Sequence, residues 1–416
     1  MPREDLPSLL LLPFPPDPSS RPLLNAAYRP SITAALSKLK RPNGASKLTV
    51  AVECPILHGQ FLRSKTLSWT DAQALVAGIY GIISVVSAQL SIGTEIDGGP
   101  NSVDATVVLI DHSRNKRFTE DFRPAIETNN TVVIDLATFA SAYHPWNYIF
   151  HVRSELGLQL YQTYLRLAEG RQTLLQEQLV PVEGGITMNV APSAQGNSPR
   201  PTPAQTQGVP VVCLGGTFDY LHPGHKLLLT AAALLLKVPR KDDANMQPCT
   251  YIIGITGDEL LKNKKYAEFV QSWEARARNV IIFLSRILEL SERGWKDTQQ
   301  PRHIEEKDGD FKAWFRDGTI LVHCVRIQDP FGPTITVENV DALVVSGETR
   351  SGGKAVNDER AEQGWKTLEV FEVDVLDAED VLEENAGTKT EENFASKISS
   401  SAIRQQRALA RPGTKI

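Results

Sequence analysis

The pattern of apolar and polar positions divides the second half of the chain into alternating strands and helices. Short apolar runs rich in β-branched residues indicate strands, and longer runs with apolar residues at helical spacing indicate helices. The predicted strands are 209–214, 250–256, 321–326, 342–346 and 370–375, and the predicted helices are 226–236, 273–290 and 399–407. Because strands that alternate with helices form parallel sheets, we expect an α/β domain over residues 209–408.

The first half shows a second α/β pattern. β-branched runs predict strands at 48–53, 105–110 and 131–134. Ser68 and Asp71 form a capping box that opens an apolar helix through residue 90, and residues 146–179 have apolar positions at helical spacing. We therefore predict an N-terminal α/β domain over residues 46–183. Its histidines are scattered along the sequence, and the sequence indicates no role for this domain.

Four further segments differ in composition from these two domains. Residues 1–45 begin with a proline-rich stretch, and we expect them to be loosely held. Residues 184–208 are rich in Pro, Gly, Ser and Gln, which is typical of a linker between domains. The charged segment 293–318 and the acidic segment 377–396 are expected to be loops. A chain that starts near Gln207 is accordingly expected to fold and to keep the activity of the second domain.

Charge and cysteine usage exclude several classes of protein. The net charge of −5 over 416 residues gives no reason to expect nucleic acid or a membrane surface as a partner. The four cysteines are far apart and form no CxxC pair, which argues against a zinc site or a disulfide framework. The apolar helix near residues 68–90 contains Asp71 and Gln73, so burial is expected rather than a membrane span. The leucine run at 9–12 is too short for a signal peptide, and we expect a cytoplasmic protein.

The segment Gly215–His225 reads Gly-Gly-Thr-Phe-Asp-Tyr-Leu-His-Pro-Gly-His and carries most of the functional information. It follows a predicted strand and precedes a run of strong helix formers. Pro223 suits the first turn of that helix, where a missing N–H group has no cost. In an open α/β sheet, ligands bind where a strand ends and the next helix begins, so this segment is a candidate site.

The residue types of this segment suit the binding of phosphate. Gly215 and Gly216 allow the backbone to approach a bulky anion, and the helix N-terminus offers unpaired N–H groups to it. His222 and His225 are three residues apart and can lie on one side of the first turn, with the hydroxyl of Thr217 opposite. Alone, a histidine pair or a glycine pair is usually structural. Their combination at a strand-to-helix turn favours a site that holds a triphosphate.

Three further segments are candidates for the same site. Lys262, Lys264 and Lys265 follow a predicted strand and could neutralise a phosphate, although a solvated charge cluster is about equally consistent with them. Ser399–Ser401 precede a short helix that contains Arg404, and they could bind phosphate or simply cap the helix. Residues 346–350 close a buried strand with polar side chains, which also fits an ordinary loop. The segment 352–355 resembles a P-loop but lacks its glycine spacing and its Ser or Thr, so we expect no kinase site.

The segment Gly215–His225 resembles the signature of the HxGH nucleotidyltransferases. Together with residues 255–265, 344–353 and 397–404, it resembles the eukaryotic type of phosphopantetheine adenylyltransferase over about residues 208–408. The resemblance implies a Rossmann-like nucleotidyltransferase sheet and transfer of AMP from ATP to 4′-phosphopantetheine, which gives dephospho-coenzyme A and pyrophosphate. Mg²⁺ would accompany ATP without a dedicated metal site on the protein, and other coenzyme A pathway enzymes are possible partners of the N-terminal domain.

The resemblance also implies roles for single residues. It assigns His225, His222, Thr217 and Lys262 to catalysis. It assigns to nucleotide and phosphate binding Gly215, Gly216, Phe218, Gly224, Lys264, Ser346, Glu348, Arg350, Ser399, Ser400, Ser401 and Arg404.

Two alternatives remain open on sequence grounds. One is a cytidylyltransferase, or another transferase of the superfamily, that acts on a different phospho-acceptor. Such cytidylyltransferases end in an Arg-Thr-x-Gly-Ile-Ser-Thr type of motif, whereas residues 397–401 read Lys-Ile-Ser-Ser-Ser. The other is a scaffold protein with a retained nucleotide pocket. The intact His222, His225, Thr217 and Arg404 argue against a scaffold.

Overall fold

The computed structural model describes most of the chain. It covers residues 6–54, 57–58, 66–112, 131–142, 145–170, 173–186, 205–239, 247–290, 304–307, 309–374, 376 and 399–409. The predicted acidic loop at 377–396 and most of the predicted linker lie outside the described residues.

The first half forms a six-stranded sheet whose strands are all parallel, in the order β6-β5-β2-β1-β7-β8. Its strands are β1 (Ser8–Leu12), β2 (Ala45–Glu53), β5 (Ser102–Asp111), β6 (Val133–Asp135), β7 (Ile149–Val152) and β8 (Leu179–Val182), with a separate two-residue pair β3 (Leu57–His58) and β4 (Thr66–Leu67). Its helices are α1 (Arg21–Leu39), α2 (Trp69–Gln89), α3 (Leu136–Ser141) and α4 (Glu155–Leu167).

Two expectations for the first half are wrong. Residues 1–45 are not loosely held where they are described, because β1 is buried along its whole length at the centre of the sheet. A central parallel strand is covered on both faces and therefore reads as a continuous apolar run. Residues 146–179 are not one helical segment either, since β7 precedes α4 and a turn at Gln176–Gln178 follows it.

The second half forms a seven-stranded sheet in the order β11-β12-β13-β10-β9-β14-β15. Its strands are β9 (Val211–Gly216), β10 (Cys249–Thr256), β11 (Ile304–Lys307), β12 (Asp310–Phe315), β13 (Ile320–Ile327), β14 (Ala342–Ser346) and β15 (Glu369–Val373). Its helices are α5 (Pro223–Ala233), α6 (Trp273–Leu288), α7 (Arg350–Glu362) and α8 (Ser400–Leu409). The predicted strands and helices of this half are confirmed.

The segment 293–318 corrects a further expectation. It contains β11 and β12, an antiparallel hairpin that extends the sheet next to β13. In β12, Phe311, Ala313 and Phe315 are buried and alternate with half-exposed residues, as expected for an antiparallel strand near an edge. The second sheet is therefore mixed: β12 runs antiparallel to both of its neighbours, and the other six strands share one direction.

The topology of the second sheet identifies where a ligand can bind. β9 comes first in this half, yet it lies between β10 on one side and β14 on the other. The chain reverses its direction of progress across the sheet at β9, and such a switch point opens a crevice at the carboxyl ends of the strands. The segment that follows β9 is the one that the sequence singles out.

The two halves are packed together through one apolar core. The helix α2 contacts both α1 and α5, and one cluster of buried side chains extends from the first sheet into the second. The Nε1 atom of Trp69 donates to the carbonyl of Ala231 at 2.8 Å, and the hydroxyl of Thr131 donates to the carbonyl of Leu236 at 2.7 Å. The two domains are therefore in close contact, although the composition of residues 184–208 is typical of a linker.

The helix α2 is long and apolar enough to cross a membrane, judged by its length and composition. Of its most apolar 18-residue window, however, 83% is buried inside the protein. Its apolar side chains are covered by the two domains, as in the core helix of a globular protein, and the expectation of a buried helix is confirmed.

Candidate active site

The signature segment forms a sharp turn between β9 and α5. β9 ends at Gly216, and a Cβ atom at this position would lie 2.9 Å from the ring of Phe218. Phe218 and Tyr220 have positive φ angles of 51° and 46°, which fold the loop back toward the sheet. Phe218 is fully buried, so this tight conformation is held by core packing.

The two histidines lie side by side at the start of α5. Their ring centroids are 3.9 Å apart with an interplanar angle of 27°, and the Phe218 ring packs 5.3 Å from His225. His222 is the residue before the first helical turn, and a Cβ atom at Gly224 would lie 3.3 Å from its ring. Gly224 therefore leaves room for the stacked pair at the helix N-terminus.

Burial determines the protonation of the pair. Burial, and then the charge of Lys226, lowers the pKa of His222 to about 4. Burial and the proximity of His222 lower the pKa of His225 well below its ordinary value. Both rings are therefore neutral at pH 7. Each can donate one N–H to a phosphate oxygen at the helix N-terminus, where anions are favoured.

An arginine that the sequence analysis missed supports the same turn. Arg276, in the first turn of α6, is fully buried and donates from Nη1 to the carbonyl of Thr217 at 2.8 Å. Its Nε donates to the carbonyl of Gln271 at 3.0 Å, and its Nη2 lies 3.9 Å from Asp258. An arginine on the otherwise buried face of a predicted helix was the available signal, because such a cation needs specific partners.

Asp219 of the signature segment is fully buried and forms an ion pair with Arg404 of α8. The Nη1 atom of Arg404 donates to one carboxylate oxygen at 2.6 Å, and the backbone N–H of Gln271 donates to the other at 3.0 Å. Arg404 also donates to the carbonyl of Lys265 at 3.0 Å and to the hydroxyl of Ser401 at 3.0 Å. The structure thus brings Arg404 to the signature segment, with its guanidinium engaged by the protein itself.

The serine run before α8 combines a cap with a docking contact. The hydroxyl of Ser399 accepts a hydrogen bond from the N–H of Ala402 at 3.3 Å, which is the capping role. The hydroxyl of Ser400 donates to the carbonyl of Asp219 at 2.8 Å, and that of Ser401 accepts from Arg404. These contacts fix the start of α8 against the signature segment.

The lysines that follow β10 are exposed. Lys262 lies just after the turn Asp258–Leu261 and forms an ion pair with Glu259. Lys264 and Lys265 are also exposed, and the carbonyl of Lys265 accepts from Arg404. Because β10 neighbours β9, these lysines follow the strand end next to the signature segment.

The segment after β14 lies on the other side of β9. Ser346 and Thr349 form a local capping pair whose hydroxyl oxygens are 3.2 Å apart, and Glu348 lies in the turn Gly347–Thr349. Arg350 is exposed and pairs with Glu372 of β15. The structure therefore places this segment beside the switch point, while the Arg350 guanidinium contacts the neighbouring strand. The assignment of Ser346, Glu348 and Arg350 to nucleotide binding stays a prediction.

Comparisons with known proteins match the two halves of the chain to different families. Residues 1–188 match a family described as a domain of unknown function (DUF8446), and residues 213–406 match the family described as Cytidylyltransferase-like. The chain is 34% identical over 199 residues to an uncharacterized protein of Schizosaccharomyces pombe, and 32% identical over 195 residues to phosphopantetheine adenylyltransferase of Saccharomyces cerevisiae. Each match covers about half of this chain (48% and 47%) and 48% of the relative, so the chain spans about half the length of these relatives.

A shorter relative is matched over most of its length. The chain is 30% identical over 165 residues to phosphopantetheine adenylyltransferase of Pyrococcus horikoshii, which corresponds to 40% of this chain and 78% of that protein. These matches agree with two features of the structure. The stacked histidine pair lies at a strand-to-helix turn, and the switch point of the sheet lies at the same turn. Through residues 213–406, the chain belongs to the cytidylyltransferase-like family of nucleotidyltransferases, with an additional N-terminal domain.

Proposed function

We propose that this chain is a phosphopantetheine adenylyltransferase, which transfers AMP from MgATP to 4′-phosphopantetheine. The observation that carries the proposal is the neutral pair His222 and His225 at the N-terminus of α5, in the crevice at the carboxyl end of β9. The names of the relatives from Saccharomyces cerevisiae and Pyrococcus horikoshii support the choice of reaction.

The reaction needs positioning rather than a protein nucleophile. An oxygen of the acceptor phosphate attacks the α-phosphorus of ATP, and the bond from that phosphorus to the oxygen bridging the α- and β-phosphates breaks. The electron pair leaves with pyrophosphate. The acceptor phosphate is already anionic near pH 7, so the protein has to align two anions and stabilise the charge that builds up between them.

Different residues would bind the triphosphate, orient the reacting groups and neutralise the acceptor phosphate. Neutral His222 and His225 donate N–H groups to the triphosphate beside the helix N-terminus, without drawing on a proton from solvent. The hydroxyl of Thr217, whose backbone is held by Arg276, orients the α-phosphate or the acceptor. Lys262 neutralises the acceptor phosphate when it exchanges its exposed partner Glu259 for that phosphate. An exposed ion pair is weak enough for such an exchange.

The remaining candidate residues form the walls of the nucleotide pocket. The segment 346–350 would flank the nucleotide from the β14 side, and Ser399–Ser401 would offer hydroxyls to the leaving pyrophosphate. Arg404 would act there by holding α8 in place. Mg²⁺ would be held mainly by the phosphates of ATP and would supply neutralisation of their charge. The described residues contain no group of three or more His, Cys, Asp or Glu side chains that could hold a metal, and a nucleotide-bound ion needs none.

Product analysis tests the proposal. Purified protein should convert 4′-phosphopantetheine and MgATP to dephospho-coenzyme A and pyrophosphate in equal amounts, as measured by chromatography and a pyrophosphate assay. Pantetheine, which lacks the acceptor phosphate, is the control and should give no product. Preference for CTP over ATP, or turnover only with another phospho-alcohol, would replace the proposal with a cytidylyltransferase or a related transferase. The formation of coenzyme A would reveal a kinase site.

A further inference from the structure

The first turn of α5 is held from behind by the N-terminal domain. Lys226 follows His225 directly in the sequence and is fully buried. Its Nζ atom donates to the Asp104 carboxylate at 2.5 Å, to the carbonyl of Ala105 at 3.0 Å and to the carbonyl of Thr94 at 3.3 Å. An ammonium group has three hydrogens, so all three have acceptors, and every acceptor belongs to the N-terminal domain.

Asp104 joins two helices of the catalytic domain to the first sheet. It lies near the start of β5 and is itself buried. One carboxylate oxygen accepts from Lys226 of α5, and the other accepts from Arg286 of α6. Burial alone would raise the pKa of Asp104, but Arg286 and Lys226 lower it below its ordinary value, so the carboxylate is ionised between two cations.

The histidine pair has no comparable anchor of its own. The Nδ1 atoms of His222 and His225 are buried, and neither has a hydrogen-bond partner among the residues that the structure describes. Their rings are located by stacking on each other and by the packing of Phe218 against His225. The position of both imidazoles therefore follows the backbone of the first turn of α5, and Lys226 fixes that turn to the other domain.

A second contact of the same domain reaches the residue before the pair. The N–H of Ile96 donates to the carbonyl of Leu221 at 3.3 Å. Asp97, from the same loop, accepts from the side chains of Asn279 on α6 and Gln271. The loop 94–97 and Asp104 thus contact the chain on both sides of His222 and His225.

We propose that Asp104 is a positioning residue of the active site, which acts through Lys226 to set the location of His222 and His225. The N-terminal domain is then part of the catalytic unit, although it supplies no group that touches the substrates. The kinetic consequence of this inference rests on the proposed adenylyltransferase reaction. A displacement of about 1 Å in a catalytic group can cost a factor of about 10² in rate, so a small shift of α5 is sufficient to matter.

The first test compares two buried contacts between the domains. Asp104→Asn keeps the shape of the side chain but removes the charge that holds Lys226 and Arg286. We expect kcat to fall about tenfold or more, and by a larger factor than KM for ATP rises, because the nucleotide keeps its other proposed contacts while the histidine pair shifts. Thr131→Val is the matched control. It removes an interdomain hydrogen bond to Leu236, beyond the far end of α5, and kcat should stay near that of wild type.

A triple variant separates positioning from stability. Asp104→Leu with Lys226→Met and Arg286→Met replaces all three charged groups by apolar side chains, which is often neutral or stabilising. We expect its Tm to recover toward that of wild type while kcat stays low, because the three-point attachment of the first turn is lost. If kcat recovers along with Tm, the buried charges are only structural and the inference is overturned. The same holds if Asp104→Asn lowers kcat no more than Thr131→Val does.

A spectroscopic test does not depend on the identity of the substrates. The imidazole ¹H–¹³C signals of His222 and His225 can be assigned by their loss in His222→Gln and His225→Gln. Asp104→Asn should shift both signals in the full-length protein, and Thr131→Val should leave them in place. Unshifted signals in Asp104→Asn would contradict positioning directly. If the signals shift but wild-type protein does not adenylate 4′-phosphopantetheine, the positioning stands and the proposed reaction fails.

Discussion

At the scale of single residues, the site is built on groups that are held in one protonation state by burial. His222 and His225 are half-buried, and their pKa values are lowered first by this partial burial and then by Lys226 for His222 and by His222 for His225. Neutral imidazoles can bind a triphosphate that already carries Mg²⁺ without a change of protonation. Their contribution is therefore expected to be constant across the physiological pH range.

The first prediction concerns the removal of one ring. His225→Ala should lower kcat about 10²-fold or more, on the scale of losing one preorganised donor, while the far-UV circular dichroism spectrum stays that of wild type. His323→Ala is the control, because His323 lies on β13, where it contacts Asp310 at 3.1 Å, outside the signature segment. Near-wild-type turnover of folded His225→Ala would remove this residue from the proposed mechanism.

The second prediction follows from the sign of the pKa shift. The folded-state pKa of His222, about 4, lies below that of the unfolded chain, so the unfolded state takes up a proton first as the pH falls. The free energy of unfolding should therefore decrease from pH 7 to pH 5, by at most about 1.4 kcal/mol per pH unit for a single histidine. His222→Gln should weaken this pH dependence, as measured by urea unfolding at both pH values. An unchanged slope would mean that the ring is solvated.

The sequence predicts the signature residues well but not the residues that support them. Gly216, His222 and His225 are recognisable because their types and spacing are tied to a strand end and a helix start. Arg276 and Lys226 were not recognised, because their role depends on partners 59 and 122 positions away in the chain, Thr217 and Asp104 respectively. The helical face on which a cation lies can indicate that it is buried, but a single sequence does not show which partners the fold brings to it.

At the scale of elements, α8 is the part of the site that is most dependent on one ion pair. Arg404 and Asp219 are both buried, and together with Ser400 they join this ten-residue helix to the signature segment. Removing one partner of a buried pair leaves an uncompensated charge, which typically costs about 3–5 kcal/mol. We expect this cost to be large enough to detach so short a helix from the signature segment.

The third prediction is that Arg404→Ala undocks α8 and weakens ATP binding. We expect the Kd for MgATP to rise about tenfold or more in calorimetric titrations, together with faster proteolysis near residue 400, since local opening exposes the chain. Arg407→Ala on the same helix is the control. It removes an exposed cation that packs over the Tyr220 ring and lies 3.7 Å from Glu95, and it should leave the affinity within about twofold. Unchanged ATP affinity in Arg404→Ala would separate α8 from the site.

The elements that the sequence failed to predict share a physical reason. β1 is a run of leucines next to prolines, and it becomes a strand because β2 and β7 pair with its two edges. β12 is interrupted by charged residues, and its alternating burial exists only because β13 and α6 provide an apolar face. Helices such as α2, whose apolar residues and cap are local features, were predicted correctly.

At the scale of the whole molecule, two α/β domains share one core. Trp69 of α2 illustrates this, because its ring packs 5.1 Å from Phe371 of β15 and its N–H bonds to the carbonyl of Ala231 in α5. The composition of the segment between the domains suggested that they are independent. The composition of a connecting segment, however, carries no information about the contact between the domains that it joins. The contact surfaces decide whether the domains separate.

The last prediction concerns the catalytic domain without its partner. A chain of residues 205–416 should be insoluble or inactive, because the face of α5 that packs on α2 becomes exposed and Lys226 loses all its acceptors. Co-expression with residues 1–204 should restore a soluble, active complex. As a control, a protease site inserted within residues 187–204 of the full chain should be cleavable without loss of activity, because contacts and not the connecting peptide hold the domains together. A soluble 205–416 fragment with wild-type kcat would show that the first domain is dispensable. It would also argue against the positioning of His222 and His225 through Asp104.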